Sequence, residues 1–265
     1  LNCTSLEHVG LSDDVSVIEG EAFAYCTALR LSELKGTFEE IDNNTFLGCH
    51  SITLSTLPKS VTKIGEGAFM ECTSITKMAL PDVEIGESAF EGCTSMKEFY
   101  TGNGVATLGK NSLKGMTSLE NLTLGTQLVE MSGCGIEDSQ SLKRINCLSK
   151  YAPFADEFSD AVYGQASLYV PEGAEKEYGS RNPWNKFHNI VGYDFSGVED
   201  VAAEEGIGFS VWGGVLTVNG VDGAMLEIYD MSGRLVHAGV EPTVSGLSRG
   251  FYLLKAGNRT AKIRI

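Results

Sequence analysis

The chain is poor in the residues that carry chemistry. Four histidines and 20 Lys+Arg stand against 35 Asp+Glu in 265 residues, a formal charge of −15. Such a deficit of cations excludes the basic face that nucleic-acid binding needs to neutralise phosphates. No apolar run approaches the ~20 residues of a membrane-spanning helix. Cys and His never fall at a short zinc spacing such as C-x-x-C, and His8, His50, His188 and His237 are scattered. No H-E-x-x-H, P-loop or dinucleotide glycine pattern is present. The adjacent carboxylates Asp13-Asp14 and Glu39-Glu40 point apart on a strand or turn, so they make no glycosidase pair. These absences predict no catalytic residues, no metal and no cofactor. Proline is also scarce, at 6 residues, whereas glycine reaches 31 and hydrophobic residues 42%. That mixture excludes wholesale disorder and reads as a turn-rich scaffold.

An internal repeat is what the chain does have. Cys3-Thr-Ser-Leu6 recurs as Cys26-Thr-Ala-Leu29, Cys49-His-Ser-Ile52, Cys72-Thr-Ser-Ile75 and Cys93-Thr-Ser-Met96, then as Met116-Thr-Ser-Leu119 and Ser139-Gln-Ser-Leu142. The steps are 23, 23, 23, 21, 23 and 23 residues. Two further ladders keep that register: Ile18, Ile41, Ile64, Ile85, Leu108 and Met131, and Phe23, Phe46, Phe69, Phe90, Leu113 and Ile136. After the Cys position, Ile75, Met78 and Leu80, or Leu119, Leu122 and Leu124, end in a period-two alternation, a short half-buried strand. A turn, a second apolar pair such as Val61 and Ile64, and a Gly-x-x-Ala-Phe segment complete the unit. One unit cannot cover its own apolar face, so units must stack with strands ~4.8 Å apart. The expected fold is a mostly β solenoid of the α/β type, with short turns and helices and a parallel sheet along one side.

Ile64-Gly-Glu-Gly-Ala-Phe-Met-Glu-Cys-Thr-Ser-Ile75 and Ile85-Gly-Glu-Ser-Ala-Phe-Glu-Gly-Cys-Thr-Ser-Met96 resemble the BspA-like leucine-rich repeats of bacterial surface proteins. The resemblance covers residues 1–150. It implies an extracellular recognition module and, for some members, adhesion to host proteins or to other cells. The chain enters at Leu1-Asn2-Cys3, in mid-repeat, so upstream repeats and a signal peptide are expected outside it.

Residues 151–195 break the period and carry Tyr151, Phe154, Phe158, Tyr163, Tyr169, Tyr178, Trp184, Phe187 and Tyr193. They read as an aromatic cap on the last repeat, with a strand near Leu168 and then a short helix started by Pro171. Residues 196–265 read as a linker (Glu199, Asp200, Glu204, Glu205, Gly206) and a small antiparallel β-sandwich. Its turns fall at Gly213-Gly214, Gly220 to Gly223, Gly233 and Gly250. Ile228-Tyr-Asp-Met-Ser-Gly-Arg-Leu-Val236 and Leu247-Ser-Arg-Gly-Phe-Tyr-Leu-Leu254 resemble the C-terminal sorting domain of type IX secretion cargo, which implies sorting or attachment.

Cys3, Cys26, Cys49, Cys72 and Cys93 occupy one repeat position, so they are expected to stack as small buried groups without disulfides. Cys147 takes a core strand position, and Cys134 is the expected accessible thiol. The strand face carries the candidate binding residues: Leu31, Glu33, Leu54, Thr56, Lys77, Glu98, Tyr100, Asn121 and Arg144. Apolar side chains beside an aromatic and charges suit protein recognition. The expected role is a non-catalytic, secreted or outer-surface binding protein, adhesin-like, for a host extracellular protein or glycoprotein or another cell surface. A carbohydrate-binding accessory or glycan hydrolase, or a spacer for an upstream domain, are the alternatives.

Overall fold

The computed structural model describes residues 2–195, 208–212, 215–219, 225–230, 234–247, 251–256 and 259–264. They fall into two compact units, Leu1–Tyr193 and Asp194–Ile265. The stretch read as a linker and the glycine turns at 213–214, 220–223, 233 and 250 lie outside the described residues.

The first unit is built from short parallel strands: β1 (Glu40–Ile41), β2 (Lys63–Ile64), β3 (Lys77–Ala79), β4 (Glu84–Ile85), β5 (Glu98–Tyr100), β6 (Asn121–Leu124), β7 (Arg144–Cys147), β8 (Ser167–Pro171) and β9 (Asn189–Tyr193). Two short helices, α1 (Asp160–Gln165) and α2 (Glu175–Tyr178), lie between the later strands. Six strands make one parallel sheet in the order β3-β5-β6-β7-β8-β9. The return paths make a second parallel sheet, β1-β2-β4, which two-residue strands are too short to announce by periodicity.

Each repeat bonds the next through its backbone. Phe23 N–H donates to Thr45 O at 2.9 Å, Phe46 N–H to Ala68 O at 2.8 Å, and Phe69 N–H to Ala89 O at 2.8 Å. The turn around each ring needs two left-handed residues. Glu21, Asn44, Gly67, Ser88 and Asn111 sit two before the ladder position with φ of 59, 55, 60, 54 and 56°. Tyr25, Gly48, Glu71, Gly92 and Gly115 sit two after it with φ of 59, 67, 60, 76 and 74°. Only glycine adopts this region without strain, which accounts for part of the glycine excess.

Inside the turns the rings stack. Centroids are 5.5 Å apart for Phe23–Phe46, 5.4 Å for Phe46–Phe69 and 5.3 Å for Phe69–Phe90, with planes within 6, 10 and 7°. The thiols run beside them. Cys49 Sγ donates to Phe23 O at 3.0 Å, Cys72 Sγ to Phe46 O at 3.2 Å and Cys93 Sγ to Phe69 O at 3.2 Å. The cysteine column therefore supplies weak donors to the preceding repeat as well as apolar volume. Burial pushes the thiols of Cys49, Cys93, Cys134 and Cys147 up to about 12.

Several expectations need correction. Cys134 is buried, at 1% exposure, and Cys3 is the exposed thiol of this chain. Leu31 and Leu54 do not face outward. They are buried at 8% and 0% exposure. The next residue is Ser32 or Ser55 where later repeats have Met78, Phe99, Leu122 or Ile145, so the preceding leucine turns inward and no regular strand forms there. Pro171 ends β8 instead of starting a helix; α2 begins at Glu175.

The aromatic segment divides. Phe158, Tyr163, Tyr178, Trp184 and Phe187 are buried against the end of the repeat core. Trp184 Nε1 donates to Pro153 O at 2.7 Å, and Tyr178 Oη donates to Ser149 O at 2.8 Å with Cys147 Sγ at 3.0 Å, so both polar tips are satisfied. Tyr151 and Phe154 are exposed.

The second unit holds β10 (Gly208–Trp212), β11 (Val215–Asn219), β12 (Leu226–Asp230), β13 (Leu235–Gly239), β14 (Thr243–Ser245), β15 (Phe251–Ala256) and β16 (Arg259–Arg264). They form two antiparallel sheets, β10-β11-β14 and β13-β12-β15-β16. Leu216, Val218 and Val244 from one sheet pack with Leu226, Ile228, Tyr252, Leu254 and Ile263 from the other.

Candidate functional site

The outward face of the six-stranded sheet holds repeat-variable residues in continuous register. Alternation turns Met78, Phe99, Leu122, Ile145 and Leu168 into the core. Their neighbours therefore line up outward in two rows. One reads Lys77, Glu98, Asn121, Arg144, Ser167, Asn189; the other Ala79, Tyr100, Thr123, Asn146, Tyr169, Val191.

Lys77 and Glu98 pair across adjacent strands at 3.2 Å. At the other end, Arg144 Nε donates to Asn146 Oδ1 at 2.9 Å, and Asn146 Nδ2 donates to Thr123 Oγ1 at 3.0 Å. The Arg144 guanidinium lies 3.8 Å from the Tyr169 ring centroid and 5.9 Å from that of Tyr193. Those rings meet edge to face, with centroids 5.8 Å apart at 89°. Partial burial lowers the pKa of Arg144 from its ordinary value, although a guanidinium stays charged. Thr123 and Asn146 are outward by alternation yet only 8% and 2% exposed, because larger neighbours cover them.

The candidates do not all meet. Lys77, Glu98, Tyr100, Asn121 and Arg144 share this face. Thr56 joins its margin through a single bridge to Ala79. Glu33 lies outside the strands, 3.8 Å from Lys35, and Leu31 and Leu54 are in the core. Tyr169 and Tyr193 were not among the candidates. Tyr169 follows Leu168 as Asn146 follows Ile145, so its offset was readable, but the broken period assigned it to the cap.

A concavity of about 570 Å³ lies over β2 and β4 and includes Lys63, Glu66, Asp82, Glu84 and Gly86. Its polar groups stitch repeats together: Lys63 Nζ meets Glu40 at 2.5 Å, and Asp82 Oδ1 accepts from Gly104 N–H. A Gly-x-Ser-x-Gly string occurs at 246–250, between the antiparallel strands β14 and β15. A nucleophile elbow needs a strand-to-helix turn instead, and Ser248 itself lies outside the described residues. Among the described residues no group of three metal-ligating side chains converges, and no helix is long and apolar enough to cross a membrane.

One short strand per repeat, paired in parallel with the next and separated by turns, defines a leucine-rich-repeat fold. The model of the BspA type leucine-rich repeat region matches residues 1–83 and 83–158, in six copies. The chain belongs to this family. Among solved structures it is similar to a leucine-rich repeat protein of T. pallidum, with 28% identity, 41% of this chain and 52% of that one covered, and a TM-score of 0.39. It is also similar to a leucine-rich repeat protein from Bacteroides ovatus, with 17% identity, coverage of 72% and 56%, and a TM-score of 0.45. The chain thus spans about half the length of these solved relatives. No curated protein matches it. A bacterial repeat family of this kind points to a binding role.

Proposed function

We propose that this is a secreted or cell-surface, non-catalytic binding protein, adhesin-like, whose stacked repeats form a solenoid presenting the six-stranded face to a host extracellular protein or glycoprotein. The observation that carries the reading is that Lys77, Glu98, Tyr100, Arg144, Tyr169 and Tyr193 stand on strands of one hydrogen-bonded sheet, with the Arg144 guanidinium beside both tyrosine rings. Aromatic and Arg side chains on a rigid scaffold lose little conformational entropy on binding and dominate protein interfaces. The C-terminal unit is the sorting or attachment part of this reading. A sugar-stacking site in the aromatic cap is disfavoured by the burial of Phe158, Tyr163, Tyr178, Trp184 and Phe187. The test is to immobilise the chain, screen extracellular proteins and glycans, and compare the best partner on Lys77→Ala/Tyr100→Ala/Arg144→Ala with Thr107→Ala outside the sheet. Loss on the triple variant alone is expected; unchanged binding there would make this the wrong face.

A further inference from the structure

We infer that β13 is a self-association strand, along which two copies of this chain pair edge to edge, antiparallel about a twofold axis. The inference is independent of the sheet-face reading above. β13 begins the sheet β13-β12-β15-β16, so among the described strands it is paired with β12 alone. An edge strand of this kind presents unpaired N–H and C=O groups, and proteins blunt such edges with charge or proline. The opposite edge is blunted, because β16 carries Arg259, Lys262 and Arg264 within six residues. β13, Leu235-Val-His-Ala-Gly239, holds no charged residue and no proline. Leu235, Val236 and the following Val240 are exposed although they are apolar. The one irregularity is a register shift at Val236, between the pairs Ile228–His237 and Tyr229–Leu235.

The strand is complementary to itself. With Ala238 on the axis, Val236 stands against Val240 of the second copy and Ala238 against its own equivalent. All three are exposed, whereas His237 and Gly239 are half-buried, as alternation requires. His237 then meets Gly239 of the second copy, where no side chain collides with the ring. The flanking charges also match. Exposed Arg234 precedes β13 and exposed Glu241 follows Val240. Antiparallel pairing brings the Arg234 end of each copy to the Glu241 end of the other, so opposite charges approach twice. Arg234 Nε is held by Asp230 at 3.0 Å, but the side chain is 78% exposed, so the rest of its fork faces water. Repulsion between two chains of charge −15 acts at longer range and is screened beyond ~8 Å at physiological salt. Pairing of β13 with β16 of another copy would offer no carboxylate to the β16 cations and would polymerise; the twofold pairing uses both β13 edges and closes.

The test is sedimentation equilibrium of the full chain across about 1 to 300 µM, the range that a small interface below about 1,200 Å² calls for. Reductant keeps the exposed Cys3 from cross-linking copies. A monomer–dimer equilibrium is expected, with no larger species. Ala238→Lys and Ala238→Glu each set like charges against each other on the axis, and each should weaken dimerisation by about tenfold or more. An equimolar mixture of the two sets Lys against Glu, and its heterodimer should return to within about threefold of the parent constant. Mixing cannot rescue a misfolded variant, so the mixture separates lost pairing from lost folding.

A parent chain that stays monomeric up to about 300 µM would overturn the inference and leave this edge to water or to a strand of another protein. Dimers that neither Ala238 variant weakens would put the contact elsewhere in the chain and refute the assignment to β13. Weakened single variants that mixing does not rescue would refute the antiparallel register centred on Ala238. Species larger than a dimer would refute the closed twofold.

Discussion

Replacing Phe69 by Leu tests whether the phenylalanine column stabilises the repeats as stacked rings or merely as apolar volume. Phe69 is fully buried between Phe46 and Phe90, at 5.4 and 5.3 Å with nearly parallel planes. Leu113 holds the same ladder position two repeats on, so the substitution asks for nothing the fold does not already accommodate. Each ring pair is worth about 0.5–1.5 kcal/mol beyond area burial, so losing two costs about 1–3 kcal/mol. The smaller side chain adds about 1 kcal/mol of lost packing. Phe23 has one stacked neighbour and is only half-buried, so Phe23→Leu should cost about 1 kcal/mol. Urea unfolding followed by circular dichroism gives both values, and a Phe46→Leu/Phe69→Leu cycle isolates the pair. A coupling of about 0.5–1.5 kcal/mol is expected. A coupling below about 0.3 kcal/mol, or equal costs at Phe23 and Phe69, would refute the stacking argument.

Four further outcomes are expected. Native protein should react with Ellman's reagent at one thiol, Cys3, and at all seven after denaturation; a fast second thiol, or a fast thiol persisting in Cys3→Ser, would contradict the burial of the others. Leu54→Ala should destabilise by about 2–5 kcal/mol while Thr56→Ala stays within about 0.5 kcal/mol, as calorimetry can check, because the leucine is core and the threonine is exposed. Glu157 accepts from Lys186 Nζ at 2.7 Å, Tyr163 Oη at 2.5 Å and Asn182 Nδ2 at 3.2 Å, and bonding with Lys186 above all lowers its pKa from 4.5 to about 2. Its contribution is therefore present above the unfolded value and lost as pH falls from 4.5 towards 2, so melting curves of Glu157→Gln should show a weaker acid dependence in that window. Glu71→Gly should raise stability by about 0.5–1 kcal/mol, since relief of its left-handed φ of 60° exceeds the added entropy of glycine; lower stability in chemical denaturation would refute this.

Most of the repeat unit was legible because stacking makes one structural position recur every 21 to 23 residues. Ile41, Ile64, Phe46, Phe69, Cys49 and Cys72 are all buried where their columns put them. The candidate face was only partly legible. Lys77, Glu98, Tyr100, Asn121 and Arg144 fall at alternate positions of paired strands because the strand period holds from β3 onward. It failed at Leu31 and Leu54 because Ser32 and Ser55 leave the core position unfilled one residue later, and burial of the leucine outweighs strand alternation.

The sequence by itself determined the period, the columns of Phe, Ile and Cys, and the parallel pairing they require. Stacking forces each residue to sit beside its own equivalent, and that relation is written in spacing alone. Only the tertiary structure decided that Arg144 meets Tyr169 and Tyr193, that Asn146 and Thr123 are covered, and which of the cap rings turn inward. Those contacts join residues that are not equivalents of one another. Their geometry depends on side-chain reach across neighbouring strands, which periodicity does not encode.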